Sequence, residues 1–207
     1  MKRHKYVLAL LLVTAALPAA AFDLTALMAL LGQQRNGEAE FSEQRFVKGM
    51  DEPLTASGTL SFAAPDRFTR NTLKPRAETM AVLGNTVTLT RGGRSRSFSL
   101  DAAPEMAGII EAIRGTLTGN AQTVRRYFKP ELSGSAEQWS LALTPLDLRL
   151  GGPVRVIHIG GRRADVNSIE MQLTDGDRSL MTIEPTRATS TTPATPATPA
   201  TPAASTP

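Results

Sequence analysis

Residues that could take part in chemistry are few in this chain and lie far apart. The sequence has no cysteine and only two histidines, His4 and His158. Zinc sites need several Cys or His ligands at short spacings, and none of these spacings occurs. A Ser-His-Asp triad would have to use His158, which lies in the apolar segment Val154–Ile159 without an orienting carboxylate beside it. We therefore interpret His158 as a structural residue on a strand face.

Two acidic residues, Asp175 and Asp177, flank Gly176. Paired carboxylates can bind calcium or act as general acid and base. Asp-Gly is also a strong signal for a tight turn, and we expect this simpler role. The sequence contains no G-x-S-x-G, no glycine-rich phosphate loop and no H-E-x-x-H. The sequence therefore predicts no catalytic residue, no metal site and no cofactor. A periplasmic hydrolase remains the alternative to a non-catalytic binding protein.

The N-terminus has the pattern of a secretory signal peptide. Lys2, Arg3 and Lys5 precede the apolar run Tyr6–Leu17, and three alanines, residues 19–21, form an A-x-A cleavage site. The apolar run is shorter than the roughly 20 residues that cross a bilayer. We expect residues 1–21 to be removed, and without cysteine the mature protein has no site for lipid attachment there. The predicted location is the bacterial periplasm, in soluble form.

The remaining sequence divides into one domain, residues 22–186, and a tail, residues 187–207. The tail repeats Thr-Pro-Ala, and such proline-rich composition predicts disorder. The full chain has 23 basic and 19 acidic residues. Removal of three basic residues with the signal peptide leaves the two signs nearly balanced, so the composition gives no support for nucleic acid binding.

The domain is mostly short strands. From Leu54 to Phe62 apolar and polar residues alternate, as in a strand with one apolar face, and Pro65-Asp66 then ends it. Gly84-Asn85 predicts a hairpin turn. The same signals predict about ten strands: Ala39–Val47, Leu54–Ala63, Arg67–Leu73, Glu78–Leu83, Thr86–Arg91, Arg94–Leu100, Gln138–Thr144, Val154–Ile159, Val166–Leu173 and Arg178–Ile183.

Three helices are predicted among these strands. Asp23 is a candidate N-cap for a helix that presents Leu24, Leu27 and Leu31 on one face. Apolar residues at helical spacing predict a second helix over Pro104–Leu117, and a shorter one over Ala121–Phe128. Short connections predict an antiparallel sheet, and a sheet of this length curls. The fold class is therefore mainly β with α: a curled sheet or incomplete β-barrel with helices over its mouth and an apolar cavity beneath them.

Several segments in a fixed order resemble one known family. These are Phe41–Glu43, Ser57–Leu60 followed by Pro65 and Phe68, the helical insertion near 104–128, and Asp175–Ser179. Their order and spacing are similar to those of the LolA-like periplasmic lipoprotein carriers, in a divergent, LolA-related branch. The resemblance implies an incomplete barrel with an α-helical lid over a hydrophobic cavity. It also implies a carrier that takes acylated lipoproteins from an inner-membrane transporter to an outer-membrane acceptor.

From this resemblance we expect a monomer without catalytic activity that binds acyl chains. Strand alternation gives the expected cavity residues: Phe46, Leu60, Phe62, Phe68, Met80, Val82, Leu89 and Trp139. The expected lid residues are Met106, Ile109, Ile110, Ile113 and Leu117. The alternative cargo is a non-protein lipid or acyl product of envelope biosynthesis.

One position departs from the family pattern. Typical carriers have an Arg directly before the Pro that ends the second strand, and that Arg contacts the lid. Here the residue is Ala64. We therefore expect apolar packing to hold the lid, unless Arg67 substitutes for the missing Arg.

Overall fold

The computed structural model describes residues 22–147 and 154–186. The predicted signal peptide and the predicted tail lie outside these residues. The described residues contain three α-helices: α1 (Leu24–Leu31), α2 (Pro104–Leu117) and α3 (Ala121–Tyr127). The strands are β1 (Asn36–Phe46), β2 (Leu54–Ala63), β3 (Arg67–Lys74), β4 (Glu78–Leu83), β5 (Thr86–Arg91), β6 (Arg94–Ser99), β7 (Phe128–Ser135), β8 (Gln138–Pro145), β9 (Val154–Arg162), β10 (Asp165–Leu173) and β11 (Arg178–Pro185).

In the described ranges all strands belong to one antiparallel sheet of 11 strands, in the order β6-β5-β4-β3-β2-β1-β11-β10-β9-β8-β7. The sheet does not close into a barrel, because β6 and β7 form its two edges. Only β1 and β11 are distant in sequence among the paired neighbours. The predicted fold class, a mainly β open sheet with helices, is confirmed.

Strand β7 is absent from the sequence prediction, which counted about ten strands and extended the third helix to Phe128. The helix ends at Tyr127, and Phe128 begins the strand. Pro130 and Gly134 weaken the strand signal of this segment. An edge strand tolerates proline because one row of its N–H groups has no partner strand, and β7 is such an edge.

The register aligns one face of the sheet across the strands. Arg70 of β3 lies opposite Leu60 of β2 and Met80 of β4, while Leu60 lies opposite Ala39 of β1. Since side chains alternate between the two faces of a strand, these residues share a face. We name it the inner face, because the helices cover it.

Two separate apolar cores form on the inner face. The first joins α1, α3 and strands β7–β9, and Ala112 of α2 belongs to it. The second joins β4, β5 and the turn at Leu100, and Ile110 of α2 belongs to it. Helix α2 therefore connects the two cores.

Local signals explain how the helices begin and end. The Ala26 N–H donates to the Asp23 carboxylate at 2.8 Å, as expected for an N-cap. After α2, Gly119 has φ +67, and a Cβ there would lie 2.1 Å from the Met28 carbonyl oxygen. Glycine is therefore required where the end of α2 meets α1. Within the described ranges, the helices are too short or too polar to cross a membrane.

Candidate functional site

A large cavity lies on the inner face, between the two cores and beneath α2. Its volume is about 1310 Å³, above the roughly 300–1,000 Å³ of typical small-molecule sites. Its wall is mainly apolar and comes from both halves of the sheet. The lining includes Leu60, Phe62, Phe68, Met80, Ile159, Ile169, Met171, Met181 and Ile183 from the strands, and Ile109, Ile113 and Leu117 from α2.

A smaller pocket of about 120 Å³ lies at the second core. It shares Phe62, Phe68 and Met80 with the large cavity, together with the same three residues of α2. Val82, Met106 and Ile110 line only this pocket. The two spaces are therefore adjacent, and the smaller one is the more apolar.

The structure places most of the predicted residues around these two spaces. Leu60, Phe62, Phe68 and Met80 lie at the large cavity, and Val82 at the smaller pocket. All five predicted lid residues lie on the face of α2 that meets one or both.

Three predicted wall residues lie elsewhere. Phe46 is on the opposite face of β1 from Phe41, because the two positions differ by an odd number, and the Arg178 guanidinium lies 4.6 Å from its ring centroid. Leu89 packs against the second core. Trp139 is buried in the first core, and its indole N–H donates to the Arg163 carbonyl at 2.9 Å.

The sequence prediction omitted the C-terminal part of the wall. In β10 and β11 the inner positions are Ile169, Met171, Met181 and Ile183, at alternate residues. The alternation of these apolar residues with a period of two could have shown that they share one face. Their position at the cavity depends on the pairing of β11 with β1, which no local sequence pattern predicts.

Helix α2 is fastened by an arginine of its own. Nη2 of Arg114 donates to the Gly84 carbonyl oxygen in the β4–β5 turn at 2.6 Å, and Nη1 pairs with Glu111. The sequence predicted a helix held mainly by apolar packing, and this hydrogen bond adds a polar contact that the prediction did not include. Arg67 lines both spaces but has no hydrogen bond to α2 within the described residues.

A buried polar cluster interrupts the apolar wall. Glu43 of β1 is 6% exposed; its Oε2 accepts from Nη2 of Arg70 at 2.5 Å, and its Oε1 from the Ser179 hydroxyl at 2.5 Å. Burial alone would raise the pKa of Glu43. The Ser179 hydrogen bond and the Arg70 charge outweigh burial and hold this pKa below its usual value of 4.5. Glu43 is thus ionised at neutral pH.

Of the candidate catalytic residues, His158 and Asp175 do not line the cavity, whereas Asp177 does. His158 is half-buried in β9, opposite Glu170 and Ala142, and has no side-chain hydrogen bond in the ranges described. Asp175 accepts from the Asp177 N–H at 3.0 Å, and Asp177 accepts from the Lys48 N–H at 2.9 Å. Both aspartates therefore stabilise the turn, and no group of potential metal ligands occurs in residues 22–147 and 154–186.

Comparison with known proteins gives one family match and several similar solved structures. The family model described as outer membrane lipoprotein carrier protein LolA-like matches residues 15–203. No curated protein matches the sequence. A LolA superfamily protein from Nitrosomonas europaea is 8% identical, with a TM-score of 0.43, over 78% of this chain and 91% of that one.

Two other solved structures are similar to a comparable degree. A putative outer membrane lipoprotein-sorting protein domain from Vibrio parahaemolyticus is 13% identical, with a TM-score of 0.44, over 79% of this chain and 92% of its own. The lipoprotein LppX from Mycobacterium tuberculosis is 9% identical, with a TM-score of 0.40, over 78% of this chain and 93% of its own.

Proposed function

This chain belongs to the LolA-like outer membrane lipoprotein carrier family, and from this membership we propose that it binds the acyl chains of lipoproteins and carries them through the periplasm toward the outer membrane. The cavity beneath α2 is the proposed binding site. The protein acts by binding and release, without catalysis.

The observation that carries the proposal is the apolar cavity between the two cores. Burial of apolar surface contributes roughly 25 cal/mol per Å², so an acyl chain gains free energy by leaving water for this wall. Phe62, Phe68 and Met80 face Ile109 and Ile113 across the space. A chain bound there lies between the sheet and α2.

Transfer requires that the cavity open. Helix α2 contributes Ile109, Ile113 and Leu117 to the wall, so outward movement of α2 uncovers the chain. We assign the lid role to α2 on this basis. An inner-membrane transporter would supply the cargo and an outer-membrane acceptor would receive it, and the carrier works as a monomer.

Cargo identification tests the function directly. The mature protein is purified from the periplasm of a bacterium that carries its gene, and molecules bound to it are extracted and identified by mass spectrometry. We expect acylated lipoproteins. Recovery of a glycerolipid or another acyl product without a peptide would replace the lipoprotein by the alternative cargo, and recovery of no acylated molecule would contradict both.

A pair of variants tests the site. Leu117→Glu places a carboxylate in the cavity wall, while Leu73→Glu makes the same change at a side chain that is 57% exposed. Because a carboxylate is costly to desolvate, we expect Leu117→Glu to weaken binding of a fluorescent fatty-acid analogue at least tenfold and Leu73→Glu to leave it within twofold. Circular dichroism verifies that both variants fold. Equal binding by the two folded variants would exclude this cavity.

A further inference from the structure

Glu43, Arg70 and Ser179 form a hydrogen-bonded polar cluster in a wall that is mainly apolar. They come from β1, β3 and β11, and Glu43 lies opposite Met181 in the sheet. Phe41 lies beneath the cluster, with the Arg70 guanidinium 4.6 Å from its ring centroid. Burying an ion pair in such a place is costly, so the cluster calls for an explanation beyond packing.

The charge of Arg70 is compensated, but its donors are not. Glu43 neutralises it at 2.5 Å and uses one of its five N–H groups. Nε of Arg70 has no hydrogen-bond partner in the described parts of the chain, but it is buried, so a ligand can reach only the Nη groups. The Arg70 side chain is 25% exposed and lines the cavity. The cluster thus offers hydrogen-bond donors without excess charge.

The two oxygens of Glu43 are already engaged. One accepts from Arg70 and the other from Ser179. Arg45 adds a positive charge 3.9 Å from Glu43, but its side chain is 56% exposed and therefore hydrated. A ligand at Arg70 consequently meets a hydrogen-bond donor. The Glu43 carboxylate beside this donor would repel a ligand that is itself an anion.

These properties select a neutral acceptor. We propose that the Arg70 guanidinium donates to the ester or amide carbonyl oxygen at the head of a bound acyl chain, with Glu43 and Phe41 holding the guanidinium in place. The inference rests on the proposed function and adds the recognised group. Every acylated cargo has such a carbonyl, whether the chain belongs to a lipoprotein or to a glycerolipid.

The register gives the direction of the chain. From Arg70 the inner face continues to Phe68 on the same strand and to Phe62 on β2, and both line the pocket beneath α2. In the other direction lie Glu43 and the exposed Arg45. The hydrocarbon therefore runs beneath α2, and the head lies toward Arg45 and solvent.

Two ligands of matched length separate recognition of the carbonyl from burial of the chain. Methyl decanoate has the carbonyl, and decyl methyl ether lacks it. Each competes against an apolar naphthylamine dye bound to the mature protein. A hydrogen bond to a charged donor corresponds to about a tenfold preference, so we expect the ester to displace the dye at about one-tenth of the ether concentration.

The variant Arg70→Met/Glu43→Gln removes donor and carboxylate together, so that neither charge is left unpaired. We expect the ester preference to fall to about one while the ether binds within twofold of its original affinity. Arg96→Met, at an exposed arginine of β6 outside the cavity, is the control and should keep the preference. If the cluster were purely structural, the double variant would change the affinities for the ester and the ether by the same factor.

Several outcomes would overturn the inference. Equal competition by ester and ether with the original protein excludes carbonyl recognition while leaving the carrier function intact. Stronger competition by decanoate anion than by the ester, lost in Arg70→Met, identifies an anion site instead. Failure of the dye and every chain to bind overturns the proposed function and this inference together. Once the ester preference is established, competition by an acylated cysteine peptide is compared with competition by a diacylglycerol. The stronger competitor shows whether the carbonyl belongs to a lipoprotein or to a glycerolipid.

Discussion

Arg114 of α2 and Gly84 of the β4–β5 turn are joined by a hydrogen bond of 2.6 Å. The sequence suggested a lid without an arginine fastening, since Ala64 occupies the family's arginine position. The structure shows the donor on the helix and the acceptor on the sheet. Arg114 is followed by one turn of helix and then Gly119, so the contact holds the C-terminal half of α2.

Removing this donor should loosen α2. In Arg114→Met the hydrogen bond to a charged donor, worth roughly 1.5–3 kcal/mol, is lost while the aliphatic part of the side chain stays. We expect amide hydrogen exchange over residues 105–117 to become about tenfold faster or more, with the strands unchanged. Arg125→Met, at an exposed arginine of α3, is the control. Unchanged exchange in α2 would show that apolar packing alone fastens it.

Protonation of Glu43 should contribute to acid unfolding. The pKa of Glu43 is lowered in the folded protein, so the stability it contributes is fully present above its ordinary pKa and is lost as the pH falls through the lowered value. We expect Glu43→Gln to lower the melting temperature at neutral pH and to flatten its decline below about pH 5. Glu40→Gln, at an exposed position of the same strand, should follow the original curve. Parallel curves for all three proteins would contradict this account of Glu43.

A side chain at position 58 should destabilise the sheet. Gly58 lies at a register shift between β2 and β3, and a Cβ there would be 2.0 Å from the Asn71 carbonyl oxygen. We expect Gly58→Ala to reduce the free energy of unfolding by about 1–3 kcal/mol, the usual cost of overpacking. Gly37→Ala, where a Cβ has no neighbour within 4 Å, is the matched change in β1. Equal denaturant midpoints would show that β3 shifts freely.

Neighbouring positions of β3 test the orientation of the wall. Phe68 lines both spaces, and Thr69 faces the other side of the sheet. Because a carboxylate in an apolar wall is costly to desolvate, we expect Phe68→Glu to weaken dye binding at least tenfold and Thr69→Glu to change it less than twofold. Circular dichroism of both variants provides the folding control. The reverse ranking would place the binding site on the outer face.

Local signals in the sequence predict much of this fold, because they depend on neighbouring residues. Gly84-Asn85 and Asp175–Asp177 mark turns that the structure contains, and the stripe of α2 follows from its helical period. The edge strand β7 was missed because Pro130 suggests a break. The remaining evidence for a strand in this segment was that Phe128 and Leu132 lie at even positions while the charged Lys129 and Glu131 lie at odd ones.

The polar cluster could not be predicted from the sequence. Glu43 and Arg70 are 27 residues apart, and Glu43 and Ser179 are 136 apart. Their meeting depends on the register of β1 with both β2 and β11. Register is set by the whole sheet, and an isolated Glu or Arg in a strand usually faces water.

The two cores have a mechanical consequence. Each is packed within itself, and between them the sheet continues through β3, β2, β1, β11 and β10. Because α2 packs Ala112 into the first core and Ile110 into the second, the cores can move apart only if α2 leaves one of them. A wider cavity therefore costs the packing of α2 on one core, so this helix limits how far the two halves of the sheet can separate.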